Sequence, residues 1–156
     1  MKVMVIGGGG REHAVIKALR KNSSIDEIFA LPGNGGIAAD AICVDIGATQ
    51  TDEITDFAVK NKIDYAVVTP DDPLALGAVN ALTAAGIRCF GPTQAAAEIE
   101  SSKAFAKALM KKYGIPTAAF EVFDDEESAV LYLEKCAYPT VIKADGLALG
   151  KGVVIA

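Results

Sequence analysis

The sequence predicts an α/β protein: an open, doubly wound parallel sheet over roughly the first hundred residues, followed by the start of a second domain. Three observations carry this. Short, almost continuous apolar runs such as Ala66-Val67-Val68 recur, as a parallel strand buried on both faces requires. Amphipathic helical segments alternate with them. Glycine-rich turns stand where strands should hand over to helices. Composition sets outer limits. At 51% hydrophobic and 22% charged, the 156 residues are too apolar for a disordered chain. Fifteen Lys+Arg against twenty Asp+Glu, a net charge of −5, argue against a nucleic-acid partner. No apolar run approaches the ~20 residues that span a bilayer. The run before the first glycines is too short for a signal peptide, so the first residues are expected to belong to the fold. Cys43, Cys89 and Cys136 are widely spaced without a C-x-x-C, and His13 is the single histidine. A cytoplasmic, reducing setting with core thiols is expected, rather than disulfides or a zinc site.

Strands are expected at residues 2–6, 27–31, 42–45, 65–69 and 88–90. Between them, Ala14, Val15, Ala18 and Leu19 form one helical stripe. Ile54, Phe57 and Ala58 form a second, with Thr51 and Asp52 as cap candidates. Residues 74–85 form a third helix, stopped by Gly86. Beyond Gly91-Pro92 the rhythm changes. A short helix is expected at 93–100, then one capped by Ser101-Ser102 with Phe105, Ala106, Leu109, Met110 and Tyr113 as its stripe. Gly114-Ile115-Pro116 ends that helix. A strand is expected at 118–123, and a helix with Asp124 and Glu127 as a capping box. A further strand, Val141-Ile142-Lys143, enters the glycine-rich stretch Asp145–Gly152, and Val153-Val154-Ile155-Ala156 begins another. An edge strand without a partner there is expected of a chain cut within its second domain; the alternative is a short chain whose last strand closes a sheet.

Four places are suited to chemistry. Gly7-Gly8-Gly9-Gly10-Arg11-Glu12-His13 follows the first strand. Glycines there let backbone N–H groups meet an anion at a helix N-terminus, and a phosphate is the natural guest. The alternative is a turn that merely lets the helix pack closely. A G-x-G-x-x-G fingerprint read from Gly8 meets His13 at its third glycine, and the second strand ends Leu31-Pro32 rather than in an acid, so NAD fits poorly. Pro32-Gly33-Asn34-Gly35-Gly36 and Thr69-Pro70-Asp71-Asp72-Pro73 follow the second and fourth strands. Loops at the carboxyl ends of such strands bind ligands, although a turn and helix cap would explain Asp71 and Asp72 equally. Lys143 with the loop carrying Lys151 suits a polyphosphate, and its spacing is not that of a Walker A. The alternative is a surface hairpin with ordinary lysines; against it, Lys143 is expected on a mostly buried strand, where lysine needs a partner. Lys103, in the first turn of a helix, opposes the dipole unless an anion is near. His13 is a general-base candidate whose plainer reading is a packing residue.

Together these segments resemble the N-terminal part of glycinamide ribonucleotide synthetases, ATP-grasp ligases of purine biosynthesis. The resemblance runs the length of the chain. It rests on Val5–Ala14, on Pro32-Gly33-Asn34, on Phe90-Gly91-Pro92 with Glu98 and Ser102-Lys103, on Gly114–Ala118, and on Val141–Val153. It implies a Rossmann-like substrate-binding domain at residues 1–101 and the beginning of an ATP-grasp domain, with its nucleotide lid, at 102–156. It implies that ATP phosphorylates glycine and that 5-phosphoribosylamine attacks the acyl phosphate, giving glycinamide ribonucleotide, ADP and phosphate, with Mg²⁺ or Mn²⁺ across the phosphates. On this resemblance Gly8, Gly9, Gly10, Arg11, Glu12, Asn34 and Asp71 hold the phosphoribosylamine. Lys103, Lys143, Asp145, Gly146, Gly150, Lys151 and Gly152 meet ATP. The family's fourth-strand loop reads Gly-Pro-Glu, where this chain has Thr69-Pro70-Asp71. Metal ligands, adenine hinge and glycine site are expected beyond residue 156, so the 156 residues alone are expected not to catalyse the ligation. The other readings are a related ATP-grasp enzyme, a non-catalytic phosphosugar or nucleotide module, and an NAD-dependent oxidoreductase.

Overall fold

Five apolar runs become five parallel strands: β1 (Lys2–Gly7), β2 (Glu27–Pro32), β3 (Ile42–Cys43), β4 (Tyr65–Val68) and β5 (Arg88–Phe90). Their order is β3-β2-β1-β4-β5. The structure is a computed structural model that describes residues 1–148 and 151–156. It divides into two units, Met1–Ala97 and Glu98–Ala156.

In the first unit the chain winds outward from β1 through β2 to β3, then crosses back to β4 on the other side of β1. The strand order therefore switches between β1 and β4, and all carboxyl ends lie on one edge. The register puts Gly7 beside Pro32 and Ile6 beside Val68. Alternate side chains leave opposite faces of each strand, so β1 feeds two cores. Met4 and Ile6 pack with Phe29, Leu31, Ile54, Ala66, Val68 and Leu82, whereas Val3 and Val5 pack with Ile16, Ile28, Ala30 and Val67.

Four helices cover these faces: α1 (Gly10–Leu19), α2 (Thr51–Lys60), α3 (Asp71–Ala75) and α4 (Ala78–Ala84). The inward stripe of α1 is Glu12, Val15, Ile16 and Leu19, with Ala14 and Ala18 exposed. The expected stripe was thus shifted, because Ile16 rather than Ala14 reaches the sheet. Ile54 and Ala58 on α2 are buried, and Phe57 meets Phe29 edge-on at 5.4 Å. Gln50, not Thr51 or Asp52, precedes the first turn of α2. The single helix expected at 74–85 is two, because Gly77 adopts φ +81 between α3 and α4. Cys43, expected in the core, is exposed on the short edge strand β3.

The helix α5 (Gln94–Ser101) runs across the boundary in sequence. The second unit holds α6 (Lys103–Lys112), α7 (Glu126–Leu133) and a hairpin of β6 (Val141–Lys143) with β7 (Val153–Ile155). Among the described residues, every buried hydrophobic side chain lies at or before Ala97. The strand expected at 118–123 does not form. A strand needs a ladder partner, and β6 and β7 pair with each other. The cap of α7 is Asp125, which accepts from the N–H of Ser128, so the box expected at Asp124 and Glu127 is one residue out of phase. Lys143 is exposed along with the rest of β6, so its burial was a wrong expectation. Among the described residues, no helix is long and apolar enough to cross a membrane.

Candidate functional site

The first cluster forms at the carboxyl edge of the five-stranded sheet. β1 ends at Gly7 and α1 begins at Gly10, so the turn is two residues long. Its tightness depends on glycine. A Cβ on Gly8 would stand 2.5 Å from the carbonyl oxygen of Gly33, and Gly7 has φ +121 with Glu12 and Pro70 packed against it. The helix cap is Gly9, which has no side chain to accept the first N–H groups. Among the described residues, no hydrogen bond uses the N–H of Gly10, Arg11 or Glu12. These donors and the positive end of the α1 dipole face the sheet edge, with the exposed Arg11 beside them.

Two residues expected to meet substrate bond the turn itself with their polar atoms, Glu12 from a buried position and Asn34 from an exposed one. Glu12 is 4% exposed, and it is the charged residue buried among those described. Its Oε2 accepts from the Gly9 N–H at 2.8 Å and its Oε1 from the Thr69 hydroxyl at 2.7 Å. Asn34 donates from Nδ2 to the Gly8 carbonyl at 2.6 Å, while its Oδ1 accepts from the N–H groups of Gly36 and Ile37. Both side chains shape the turn. Asp71 sits in the first turn of α3, on the far side of the switch point, and its side chain makes no hydrogen bond or ion pair among the described residues. His13 bonds Asp40 through Nε2 at 2.8 Å, and Arg20 donates to the Asp40 carbonyl. That bond from His13, seconded by the charges of Lys17 and Arg20, holds the Asp40 carboxyl below the usual carboxylate range against the effect of its burial. His13 is thus a packing residue that ties α1 to the segment after β2.

From the sequence, Thr69 is named within its loop but given no role of its own. Its signal was only its place at the end of an apolar strand; its partner Glu12 is 57 residues away in sequence. An open cleft of about 480 Å³ lies beside it, lined by Val68, Thr69, Leu74, Cys89, Phe90, Gly91 and Pro92.

The second cluster lies wholly in the second unit. Asp145 Oδ1 accepts from the N–H of Lys103 at 2.6 Å and of Ala104 at 3.1 Å, and Oδ2 from the Ser102 hydroxyl at 3.0 Å. The Ala104 N–H, helped by Ser102 and Lys103, lowers the Asp145 pKa against the effect of desolvation. Lys103 reaches back with Nζ to the Gly146 carbonyl at 2.8 Å. The anion that a lysine in a first helical turn calls for is therefore supplied by the chain itself. Lys143 pairs with Val153 across the hairpin, and Lys151 stands exposed in its loop. Gly146 and Gly152 take φ +90 and +69. Gly150 lies outside the described residues. An open apolar hollow of this unit, about 420 Å³ along Met110 and Gly114–Phe120, involves none of these lysines.

The family model of the phosphoribosylglycinamide synthetase N domain matches residues 1–100, and that of the ATP-grasp (A) domain of the same synthetase matches residues 101–156. The chain belongs to the phosphoribosylglycinamide synthetase family. It is 48% identical over 155 residues to a phosphoribosylamine–glycine ligase of Clostridium acetobutylicum, covering 99% of this chain and 37% of that one. It is 50% identical over 157 residues to the Streptococcus pyogenes serotype M1 protein of the same name, again covering 37% of that protein. The chain thus spans little more than a third of the curated relatives it matches. The crystal structure of the Thermotoga maritima phosphoribosylamine–glycine ligase superposes with a TM-score of 0.77 at 35% identity, over 99% of this chain and 36% of that one. The Thermotoga maritima N5-carboxyaminoimidazole ribonucleotide synthetase shares the fold, with a TM-score of 0.71 at 22% identity over 99% of this chain and 40% of that one. In this synthetase family member, the two family domains fall on the two clusters described: the glycine turn in the first, the lysine-bearing hairpin in the second.

Proposed function

We propose that this chain contributes the phosphoribosylamine-binding part, and part of the nucleotide-binding part, of an ATP-dependent phosphoribosylamine–glycine ligase. The reaction has two steps. A glycine carboxylate oxygen attacks the γ-phosphorus of ATP, releasing ADP and forming glycyl phosphate. The amine of 5-phosphoribosylamine then attacks the acyl carbon, loses a proton and expels phosphate, leaving glycinamide ribonucleotide. The catalytic work is mostly positioning and charge neutralisation.

The observation that carries this reading is the set of free N–H groups of Gly10, Arg11 and Glu12 at the dipole end of α1. A sugar phosphate seated there is held by backbone donors, with the Arg11 guanidinium as its charge partner. Glu12 and Asn34 support the turn through their hydrogen bonds to Gly9 and Gly8, and the Asp71 carboxylate would accept from a ribose hydroxyl. On the nucleotide side, Lys143 and Lys151 are exposed cations flanking a glycine loop, and Lys103 with Asp145 anchors that loop to α6. Magnesium or manganese is proposed to accompany ATP. Among the described residues, no three His, Cys, Asp or Glu side chains cluster to hold a metal, so these residues do not fit one and no step runs through it. The acidic net charge and the three free cysteines support small-molecule substrates and a reducing cytoplasm rather than nucleic acid.

Calorimetric titration with ribose 5-phosphate tests the reading. Saturable binding, weakened roughly tenfold in Arg11→Ala by loss of a charge-assisted contact, supports it. Binding unchanged in Arg11→Ala contradicts it.

A further inference from the structure

The buried carboxylate of Glu12 poses a problem that its own helix does not solve. Burying an ionised carboxyl is costly unless its oxygens are hydrogen-bonded. Among the described residues, no lysine, arginine or histidine forms an ion pair with it. Its burial rests on two donors, the Gly9 N–H on Oε2 and the Thr69 hydroxyl on Oε1. In the second of these bonds the Thr69 hydroxyl is the donor and the carboxyl oxygen the acceptor. Thr69 follows β4, and Pro70 packs within 2.8 Å of where a Gly7 Cβ would be. Glu12 is therefore wedged between the β1–α1 turn and the β4 loop, across the point where the strand order switches.

We infer that Thr69 is a positioning residue of the anion site. It acts through Glu12, fixing the β1–α1 turn so that the N–H groups of Gly10, Arg11 and Glu12 stay aimed at one point. Without the hydroxyl, one carboxylate oxygen is buried and unsatisfied. Glu12 then turns toward water, Gly9 loses its acceptor, and the first turn of α1 is freed. The role in binding rests on the sugar-phosphate reading above; the link from Thr69 to Gly9 does not.

The test uses the whole chain and three variants. Thr69→Val keeps the shape and removes the donor. Thr69→Ala stands by if Thr69→Val does not fold. Thr69→Ser restores the hydroxyl. Two quantities are read: the amide proton resonance of Gly9 without ligand, and the affinity for ribose 5-phosphate. In Thr69→Val the Gly9 resonance should move upfield, and affinity should fall roughly two- to tenfold, as for the net worth of an ordinary hydrogen bond. Thr69→Ser should return the resonance and bring affinity within about twofold of the parent. A merely structural residue would not show this rescue. An unmoved Gly9 resonance in Thr69→Val overturns the inference whether or not the sugar phosphate binds. A shifted resonance with unchanged affinity overturns its role in binding. Failure of the parent chain to bind ribose 5-phosphate, with the Gly9 response intact, overturns the functional reading and that role, leaving the Thr69–Glu12–Gly9 link standing.

Discussion

The carboxylate of Asp145 sits on the first turn of α6, 2.6 Å from the N–H of Lys103. Two residues that the family resemblance assigns to ATP are thus bound to each other, and Lys103 Nζ completes the clasp on the Gly146 carbonyl. The glycine loop therefore begins from an anchored base.

Removing that anchor should loosen α6 locally. In Asp145→Ala, the amides of Lys103 and Ala104 should exchange about fivefold faster, matching the ~1 kcal/mol of a lost helix cap. The clasp is also pH-dependent. The folded pKa of Asp145 lies below its ordinary value, so its contribution is complete above the unfolded carboxyl pKa of about 3.9 and fades as pH falls through the folded value. Exchange at these amides in the parent chain should approach that of Asp145→Ala only in acid. Equal protection in parent and variant at neutral pH would remove the clasp from the account.

The glycine turn offers a matched pair of substitutions. A Cβ on Gly8 would meet the backbone oxygen of Gly33 at 2.5 Å, while one on Gly10 would meet nothing within 4 Å. Gly8→Ala should lower the stability of the first unit by about 1–3 kcal/mol, the range for overpacking. Gly10→Ala should be neutral or stabilising by about 0.5 kcal/mol, since it restricts the unfolded chain at a helical position. Thermal unfolding distinguishes the two; equal midpoints would refute the close backbone approach.

The cores make a parallel contrast. Leu82 is fully buried, whereas Leu131 on α7 is 50% exposed. Leu82→Ala should cost about 2–5 kcal/mol and Leu131→Ala less than about 1. Denaturant unfolding of the two variants measures the difference, and comparable losses would mean that α7 is packed more deeply than its exposure indicates.

His13 and Asp40 give a further check. The Asp40 carboxyl should titrate below the usual aspartate range, and His13→Asn should raise its midpoint, because the His13 bond is the leading cause of the shift. A carbon-detected carboxyl titration that finds the same midpoint in both proteins would contradict the pairing.

Much of the fold is legible in the sequence. The apolar runs at Val3–Ile6 and Ala66–Val68 announced strands covered on both sides, and parallel winding then placed three loops on one edge. What failed was tertiary. Nothing local tells a helix whether Ala14 or Ile16 will face the sheet. Lys143 was expected to be buried because its neighbours are apolar, yet the hairpin leaves both exposed. Phe120 and Val122 alternate like a strand, but alternation does not create a ladder partner. Glu12 read as a ligand contact because it stood in a glycine turn; only its distance to Thr69, set by the β1–β4 pairing, shows the carboxylate turned inward.

The central claim is that an anion binds on the free N–H groups at the start of α1. The direct measurement is an amide-resolved titration of the labelled chain with ribose 5-phosphate, with ribose as control. The account predicts saturable shifts concentrated at Gly10, Arg11 and Glu12, with none from ribose alone. Shifts scattered over the surface, or equal responses to ribose and ribose 5-phosphate, would contradict it.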